Sequence, residues 1–193
     1  VLLPLPLHHV YAFTIGMLAS LTVGVPLVMP SSLTGPEILR ALQQGQVTAL
    51  LGVPRFYEAL VTAIAAQVRQ RGSVVAALFH GALTLSILVQ RRFGLRLGHW
   101  LFAPLRQQFA PHVRVVASAG AALSPVLAWQ LEGLGWQVGS GYGLTETSPI
   151  LTFYPPGSAH HDTAGKPLAG VELRIAQPEK DAQYGEVLAN GPN

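Results

Sequence analysis

One short segment is more informative than the rest of this chain: residues 141–149 read Gly141-Tyr142-Gly143-Leu144-Thr145-Glu146-Thr147-Ser148-Pro149. The apolar residues Trp136 and Val138 precede it, as at the end of a buried strand. A strand that opens into a glycine-rich loop with hydroxyl groups can bring its backbone close to a phosphate. The carboxylate of Glu146 can hold the Mg²⁺ that phosphates carry, because this cation prefers oxygen ligands. The segment therefore indicates a nucleotide site.

Composition excludes several other classes of site. The 193 residues suffice for one domain with a core or a little more, and the absence of cysteine excludes disulfides and cysteine-type zinc sites. His160-His161-Asp162 lacks a third ligand at a suitable spacing, so we expect an exposed loop there. Residues 139–143 do not match Gly-x-Gly-x-x-Gly, which argues against a dinucleotide fold. Ser118 and Ser140 lack the context of a hydrolase nucleophile.

Charge is unevenly distributed along the chain. Residues 1–131 contain nine arginines and two glutamates, whereas residues 132–193 contain three basic and seven acidic residues. No basic stripe with interleaved aromatic residues appears, so nucleic acid is not an expected partner. We interpret Arg91-Arg92 as a solvated helix end, with contact to the phosphates of a ligand or to a membrane surface left as alternatives.

Hydrophobic periodicity predicts alternating strands and helices. Thr34 with Glu37 forms a capping-box pattern, and Ser124 precedes a proline as a helix cap would. The apolar run of residues 10–29 is long enough to span a membrane, but Gly24 and Pro26 interrupt it, which favours a buried helix followed by a strand. The predicted strands are residues 1–7, 24–29, 48–53, 113–117 and 137–139, and the predicted helices are residues 10–23, 36–44, 54–69, 74–92, 97–108 and 125–134.

The last part of the chain has a different pattern. Residues 171–176 and 186–189 alternate as antiparallel strands do, with a polar turn predicted at residues 178–182. The predicted fold class is α/β: a layered, parallel-type sheet flanked by helices, followed by the start of a β-rich appended subdomain. We place the α/β portion at residues 1–154 and the β-rich subdomain at residues 155–193.

The segment at residues 141–147 resembles the signature of the adenylate-forming (AMP-binding) superfamily. Four further segments follow the family's order: residues 5–11, 118–123, 165–171 and 185–193. Residues 91–98 and 101–105 resemble the long-chain fatty acyl-CoA synthetases within that superfamily. The chain departs from the family pattern at Ser140, which stands where glutamine is usual, and at Ala119, which stands where glycine is usual.

The resemblance implies a two-step reaction, in which ATP and a carboxylic acid give an acyl-adenylate and CoA then displaces AMP. It implies that Thr145 contacts the α-phosphate, that Glu146 binds Mg²⁺, and that His9 lies beside the reacting carboxylate as a third catalytic residue. The implied nucleotide-binding residues are Ala119, Gly120, Ala121, Ser140, Gly141, Tyr142, Gly143 and Thr145. The implied acyl pocket is formed by His8, His9, Gly120 and Gly143.

The chain lacks the family's phosphate loop and its C-terminal catalytic lysine. We therefore expect the central fragment of an N-terminal domain, inactive in isolation and prone to self-association through uncovered apolar surface. We expect a cytoplasmic protein, with peripheral membrane association left open. An adenylation domain that loads a carrier protein and a membrane-associated binding module remain alternatives. The acid and its chain length do not follow from the sequence.

Overall fold

A mixed sheet of five strands forms the centre of the molecule. The computed structural model describes residues 1–158, 160–177 and 184–192. The strands are β1 (Ala49–Gly52), β2 (Val115–Ser118), β3 (Gln137–Tyr142), β4 (Thr152–Tyr154) and β5 (Lys166–Pro167), in this spatial order. Strands β1, β2 and β3 are parallel, whereas β3, β4 and β5 pair antiparallel. The predicted α/β class is confirmed.

Seven α-helices and a π-helix accompany the sheet in the described part of the chain. The π-helix (Tyr11–Ala19) continues directly into α1 (Ser20–Thr22). The other helices are α2 (Gly35–Gln44), α3 (Pro54–Gln70), α4 (Ser73–Phe93), α5 (Gly98–Leu101), α6 (Ala103–Phe109) and α7 (Pro125–Gly133). The predicted helix at residues 97–108 is thus two helices, and Pro104 lies in the first turn of the second.

The two faces of the sheet carry different cores. Because strand side chains alternate between the faces, Leu50, Val116 and Val138 lie on one face, within a large apolar cluster that includes residues of α3, α4 and α7. Leu51 and Ala119 belong to a smaller cluster with residues of the π-helix. The alternation therefore assigns each strand residue to one of two helical layers.

The N-terminal predictions are confirmed only in part. Leu2 forms single parallel bridges to Val28 and Leu50, instead of the full strands predicted at residues 1–7 and 24–29. Pro4 and Pro6 have no N–H to donate, which stops the pairing after the first residues. The predicted buried helix at residues 10–23 buries one side only, and Leu21 is 57% exposed.

The two predicted helix caps have different outcomes. Ser124 Oγ accepts a hydrogen bond from the backbone N–H of Leu127 at 3.2 Å, which confirms the cap of α7. The capping box of α2 is absent, because the side chain of Thr34 makes no cap hydrogen bond. Glu37 instead accepts a hydrogen bond from Ser31 Oγ at 2.7 Å and pairs with Arg40 at 2.9 Å.

Helix α4 is the one helix in the described residues that is long and apolar enough to cross a membrane. Length and composition alone support this, and soluble proteins contain such helices as well. Its buried residues are Leu83, Ser86 and Gln90, and many of its large apolar side chains are exposed.

Two further strands, β6 (Glu172–Ala176) and β7 (Glu186–Asn190), pair antiparallel as a separate two-stranded sheet. This confirms both predicted strands, while the predicted turn at residues 178–182 lies outside the described residues. Strand β5, at residues 166–167, still belongs to the central sheet. The division at residues 154 and 155 stays a prediction.

Candidate functional site

A cavity of about 470 Å³ lies where β2 and β3 end. Ligands of α/β proteins bind in the crevice outside the carboxyl ends of parallel strands, and this cavity has that position. Its walls come from the loop after β2, the start of α7, the β3–β4 hairpin and the loop before β5. The lining residues are Gly120, Ala121, Ala122, Leu123, Pro125, Ser140, Gly141, Tyr142, Tyr154, His161, Asp162, Thr163 and Ala164.

Strand register explains why polar side chains meet at this cavity. Ser118 pairs with Ser140 across β2 and β3, and Ser140 pairs with Tyr154 across β3 and β4. Paired residues share a face of the sheet, and Tyr142 joins them because it lies two residues after Ser140. The hydroxyl of Ser118 is buried without a hydrogen-bond partner among the described residues. This face therefore places three hydroxyl-bearing residues of the hairpin beside one unpaired buried hydroxyl.

Five of the predicted nucleotide-binding residues line the cavity: Gly120, Ala121, Ser140, Gly141 and Tyr142. Ala119 is buried behind them in the smaller apolar cluster. Gly120 adopts a φ of +83°, a conformation that favours glycine and turns the chain at the end of β2. The sequence predicted a loop at residues 141–149, but β3 extends to Tyr142 because the hairpin with β4 pairs residues 140–142.

Gly143, Thr145 and Glu146 lie beyond the cavity lining. A Cβ on Gly143 would lie 2.0 Å from the carbonyl oxygen of Pro149, so the chain path there requires glycine. Thr145 and Glu146 are exposed in a 3₁₀ turn (Thr145–Thr147), next to the cavity along the chain. Glu146 presents an exposed carboxylate, the type of oxygen ligand that Mg²⁺ accepts.

Thr147 stabilises this turn, a role that the sequence analysis did not assign. Its Oγ1 accepts a hydrogen bond from the backbone N–H of Leu144 at 3.1 Å and donates one to the carbonyl oxygen of Leu144 at 3.1 Å. A hydroxyl three residues after the start of a turn is the available signal for such a bond.

His8 and His9 lie away from the cavity lining. Both side chains are exposed just before the π-helix, with ring centroids 4.3 Å apart. The π-helix packs on the face of the sheet opposite to Ser140 and Tyr154, because Tyr11 and Ala12 belong to the smaller cluster. Of the predicted acyl-pocket residues, Gly120 therefore lines the cavity and Gly143 lies next to it along the chain, whereas His8 and His9 precede the π-helix.

The prediction of an exposed loop at residues 160–162 is wrong for His161. Its side chain is buried, whereas His160 and Asp162 are exposed. His161 Nδ1 lies 3.0 Å from the hydroxyl of Tyr154, and the ring lies edge-on to Trp129 with centroids 4.6 Å apart. The sequence carried no signal for this burial, because the neighbours of His161 come from β4 and α7.

Glu132 of α7 is a second buried polar group beside the cavity. Its Oε1 accepts a hydrogen bond from the backbone N–H of Val138 at 2.9 Å, and its other oxygen accepts one from Gln90. Oε1 also lies 3.9 Å from His161 Nε2. Burial raises the pKa of Glu132, and these hydrogen bonds oppose the rise by favouring the carboxylate.

Burial also sets the protonation of the other two members of this group. It lowers the pKa of His161 to about 4, so the ring is neutral at pH 7. Burial, with the nearby Glu132, raises the pKa of Tyr154 to about 12, so its hydroxyl keeps its proton. Two of the side chains that line the cavity, Tyr154 and His161, are therefore neutral and hydrogen-bonded to each other, whereas Asp162 adds an exposed carboxyl group to the lining.

Comparison with known proteins identifies the family of this chain. The family described as AMP-binding enzyme matches residues 1–193. Long-chain-fatty-acid–CoA ligase 2 of Schizosaccharomyces pombe is 28% identical over 100% of this chain and 30% of its own length. Long-chain-fatty-acid–CoA ligase FadD15 of Mycobacterium bovis is 29% identical over 97% of this chain and 31% of its own length. The chain thus spans about a third of the length of these relatives.

Solved structures show the same fold. A long-chain-fatty-acid–CoA ligase (FadD1) from Archaeoglobus fulgidus superposes with a TM-score of 0.66 at 18% identity, over 100% of this chain and 34% of that one. O-succinylbenzoate coenzyme A synthetase (MenE) from Bacillus subtilis, in complex with ATP and magnesium ion, gives 0.62 at 19% identity, over 100% of this chain and 32% of that one. With a family match over its whole length, this chain belongs to the AMP-binding enzyme family.

Proposed function

We propose that the protein to which this chain belongs is an AMP-forming ligase that activates a fatty acid and transfers it to CoA. The observation that carries the proposal is the convergence of five predicted nucleotide-binding residues on one cavity at the carboxyl edge of the sheet. The names of the relatives, which are long-chain-fatty-acid–CoA ligases, support a fatty acid as the substrate.

The chemistry proceeds in two balanced steps. A carboxylate oxygen attacks the α-phosphorus of ATP, and the bond to the β-phosphate oxygen breaks to release pyrophosphate. The sulfur of CoA then attacks the acyl carbon, AMP leaves with its phosphate oxygen, and the thiol proton is lost to solvent. Transfers of this kind depend mainly on positioning and on the stabilisation of negative charge.

In this proposal the chain's own residues bind and orient the nucleotide. Gly120 and Gly141 let the backbone approach the base, because a side chain at either position would reduce the space beside it. Tyr142 lies along the adenine ring, and the hydroxyl of Thr145 donates a hydrogen bond to the α-phosphate. Mg²⁺, when bound through Glu146, would neutralise charge on the phosphates. His9 and His8 lie on the acyl side.

The assay that tests this function uses the full-length protein encoded by the reading frame. We would measure pyrophosphate release with ATP, Mg²⁺ and acids from acetate to palmitate, with and without CoA. Release that requires a fatty acid and consumes CoA is the expected result. Release without consumption of CoA would favour transfer to a carrier protein instead. No release with any acid, together with ATP-independent flotation on lipid vesicles, would favour a membrane-associated binding module.

Substitution of the proposed magnesium ligand gives a sharper test. Glu146→Gln keeps the size of the side chain but removes its charge, so we expect adenylation to slow at least about tenfold and to require more Mg²⁺. The matched control is Glu172→Gln, which changes an exposed glutamate in β6. A magnesium titration of the adenylation rate separates the two variants, and an unchanged Glu146→Gln profile would contradict the assignment.

A further inference from the structure

Three buried side chains form a continuous polar line behind the cavity. Glu132 Oε1 faces His161 Nε2 at 3.9 Å, and His161 Nδ1 contacts the hydroxyl of Tyr154 at 3.0 Å. Trp129 packs edge-on against the imidazole ring and restricts its orientation. Tyr154 and His161 both line the cavity, so this line of contacts connects the interior of α7 to the wall of the proposed nucleotide site.

The partners of Glu132 bear on the direction of the hydrogen bond between His161 and Tyr154. Its two oxygens accept hydrogen bonds from the Val138 N–H and from Gln90, so the carboxylate faces its neighbours as an acceptor. His161 Nε2 has no hydrogen-bond partner among the described residues, and the atom it faces is Glu132 Oε1. The separation of 3.9 Å is too long for a hydrogen bond, but the negative charge of a carboxylate at that distance electrostatically favours the neutral tautomer with its proton on Nε2.

This tautomer leaves Nδ1 of His161 as an acceptor. The hydroxyl proton of Tyr154 then points at Nδ1, and the lone pairs of the tyrosine oxygen remain for the cavity. Tyr154 shares its face of the sheet with Ser140, directly across the hairpin. Tyr154 lines the cavity, and in this arrangement its oxygen can accept a hydrogen bond while its own proton is already donated to His161.

We propose that Tyr154 is the residue that selects adenine by accepting a hydrogen bond from its 6-amino group, with His161 and Glu132 as positioning residues. The inference rests on the proposed function, since it places the base of ATP in this cavity. A purine with a 6-keto group presents an acceptor to the same oxygen, and two acceptors repel each other. A buried polar contact of this kind discriminates strongly between substrates, because the wrong partner leaves both groups unpaired.

The test compares ATP with inosine triphosphate, which carries a keto oxygen in place of the amino group. The full-length protein is expected to prefer ATP in kcat/KM for pyrophosphate release. Tyr154→Phe should lower kcat/KM for ATP about tenfold, the value of one hydrogen bond, and should raise kcat/KM for inosine triphosphate, because the repelling oxygen is gone. The control is Tyr57→Phe, which removes a buried hydroxyl that bonds to Leu50 and Ala117 backbone oxygens, and which should leave the nucleotide ratio unchanged.

A second variant separates positioning from a purely structural role. His161→Phe keeps a ring against Trp129 but removes the acceptor, so the Tyr154 proton becomes free to point into the cavity. We expect the preference for ATP to fall and kcat/KM for inosine triphosphate to rise. A variant that loses activity with both nucleotides in equal proportion would overturn the positioning role. An unchanged ratio in Tyr154→Phe, with ATP still used, would overturn the selection while the proposed function stands.

Two readouts remain if the protein releases no pyrophosphate. Calorimetric titration with AMP and inosine monophosphate should show binding of AMP that is weakened about tenfold by Tyr154→Phe. Nitrogen-15 NMR of the histidine rings, assigned with His161→Phe, should show a neutral His161 with its proton on Nε2. A proton on Nδ1, or equal binding of the two monophosphates by the unmodified protein, would overturn the inference.

Discussion

Helices α4 and α7 lie against each other, yet they differ in how much of each helix is buried. Helix α4 has 21 residues and a composition apolar enough for a membrane span, but it buries only Leu83, Ser86 and Gln90. Helix α7 has nine residues and buries five of them, including the charged Glu132. The position of a helix over the sheet, and not its apolar content, therefore decides which of its side chains are buried.

Two hydrogen bonds join the two helices within their shared apolar cluster. Ser86 Oγ donates a hydrogen bond to the carbonyl oxygen of Gly133 at 2.9 Å, and Gln90 donates one to Glu132. Hydrogen bonds of this kind fix a relative orientation, because a shift of either helix would leave buried polar groups unpaired. The longer helix therefore supports the shorter one, which carries Glu132 beside the cavity.

The largest expected effect compares a leucine from each helix. Leu131→Ala in α7 removes a fully buried side chain, so we expect the free energy of unfolding to fall by about 2–5 kcal/mol. Leu88→Ala in α4 removes a side chain that is 57% exposed, and the expected loss is within about 0.5 kcal/mol. Urea denaturation measures both. Equal losses of unfolding free energy in the two variants would show that Leu88 of α4 is buried in the folded protein.

A smaller effect should depend on pH through His161. Its pKa is about 4 in the folded protein and near 6.5 when unfolded, so between these values the unfolded chain binds more protons. Stability should therefore fall as pH falls from 6.5 towards 4. The raised pKa of Glu132 acts in the opposite direction, since the folded protein then binds the extra proton. Both carboxylate and imidazole must be considered in the measured slope.

Replacement of the His161 imidazole isolates its contribution to the pH dependence of stability. Between pH 7 and pH 5, the free energy of unfolding should fall by about 1–2 kcal/mol less in His161→Phe than in the wild-type protein. The reason is that phenylalanine has no proton to bind in this pH range. His160→Phe, at the exposed neighbouring position, is the matched control and should keep the original slope. Urea denaturation at the two pH values gives the comparison, and identical slopes in all three proteins would rule out His161 as the source.

The smallest expected effect concerns helix caps. Ser124→Ala removes the hydroxyl that accepts the Leu127 N–H at the start of α7, which should cost about 1 kcal/mol. Thr34→Ala, at the start of α2, removes a side chain that makes no cap hydrogen bond, and we expect a loss within about 0.5 kcal/mol. Thermal and urea unfolding measure both losses. A larger loss for Thr34→Ala than for Ser124→Ala would show that the capping box of α2 forms in solution.

Much of the fold follows from local sequence. The strands at residues 49–52 and 115–118 and the helices starting at Pro54 and Pro125 lie where periodicity and proline positions predict them. The errors occur where partners are distant in sequence. Leu2 pairs at a single residue, and β3 lengthens because β4 returns beside it. Pairing between strands depends on neighbours that no short window of sequence contains.

For the candidate site, the family and the glycine-rich residues near the cavity could be predicted from the sequence, because backbone that approaches a ligand requires particular residue types. The cluster of Tyr154, His161 and Glu132 near Ser140 became visible only in the folded structure. Their burial and protonation result from three separate elements that pack together, and a histidine in a polar stretch gives no local sign of it. Residue type fixes the hydrogen-bonding and acid–base chemistry of a side chain, and tertiary packing determines which groups it contacts.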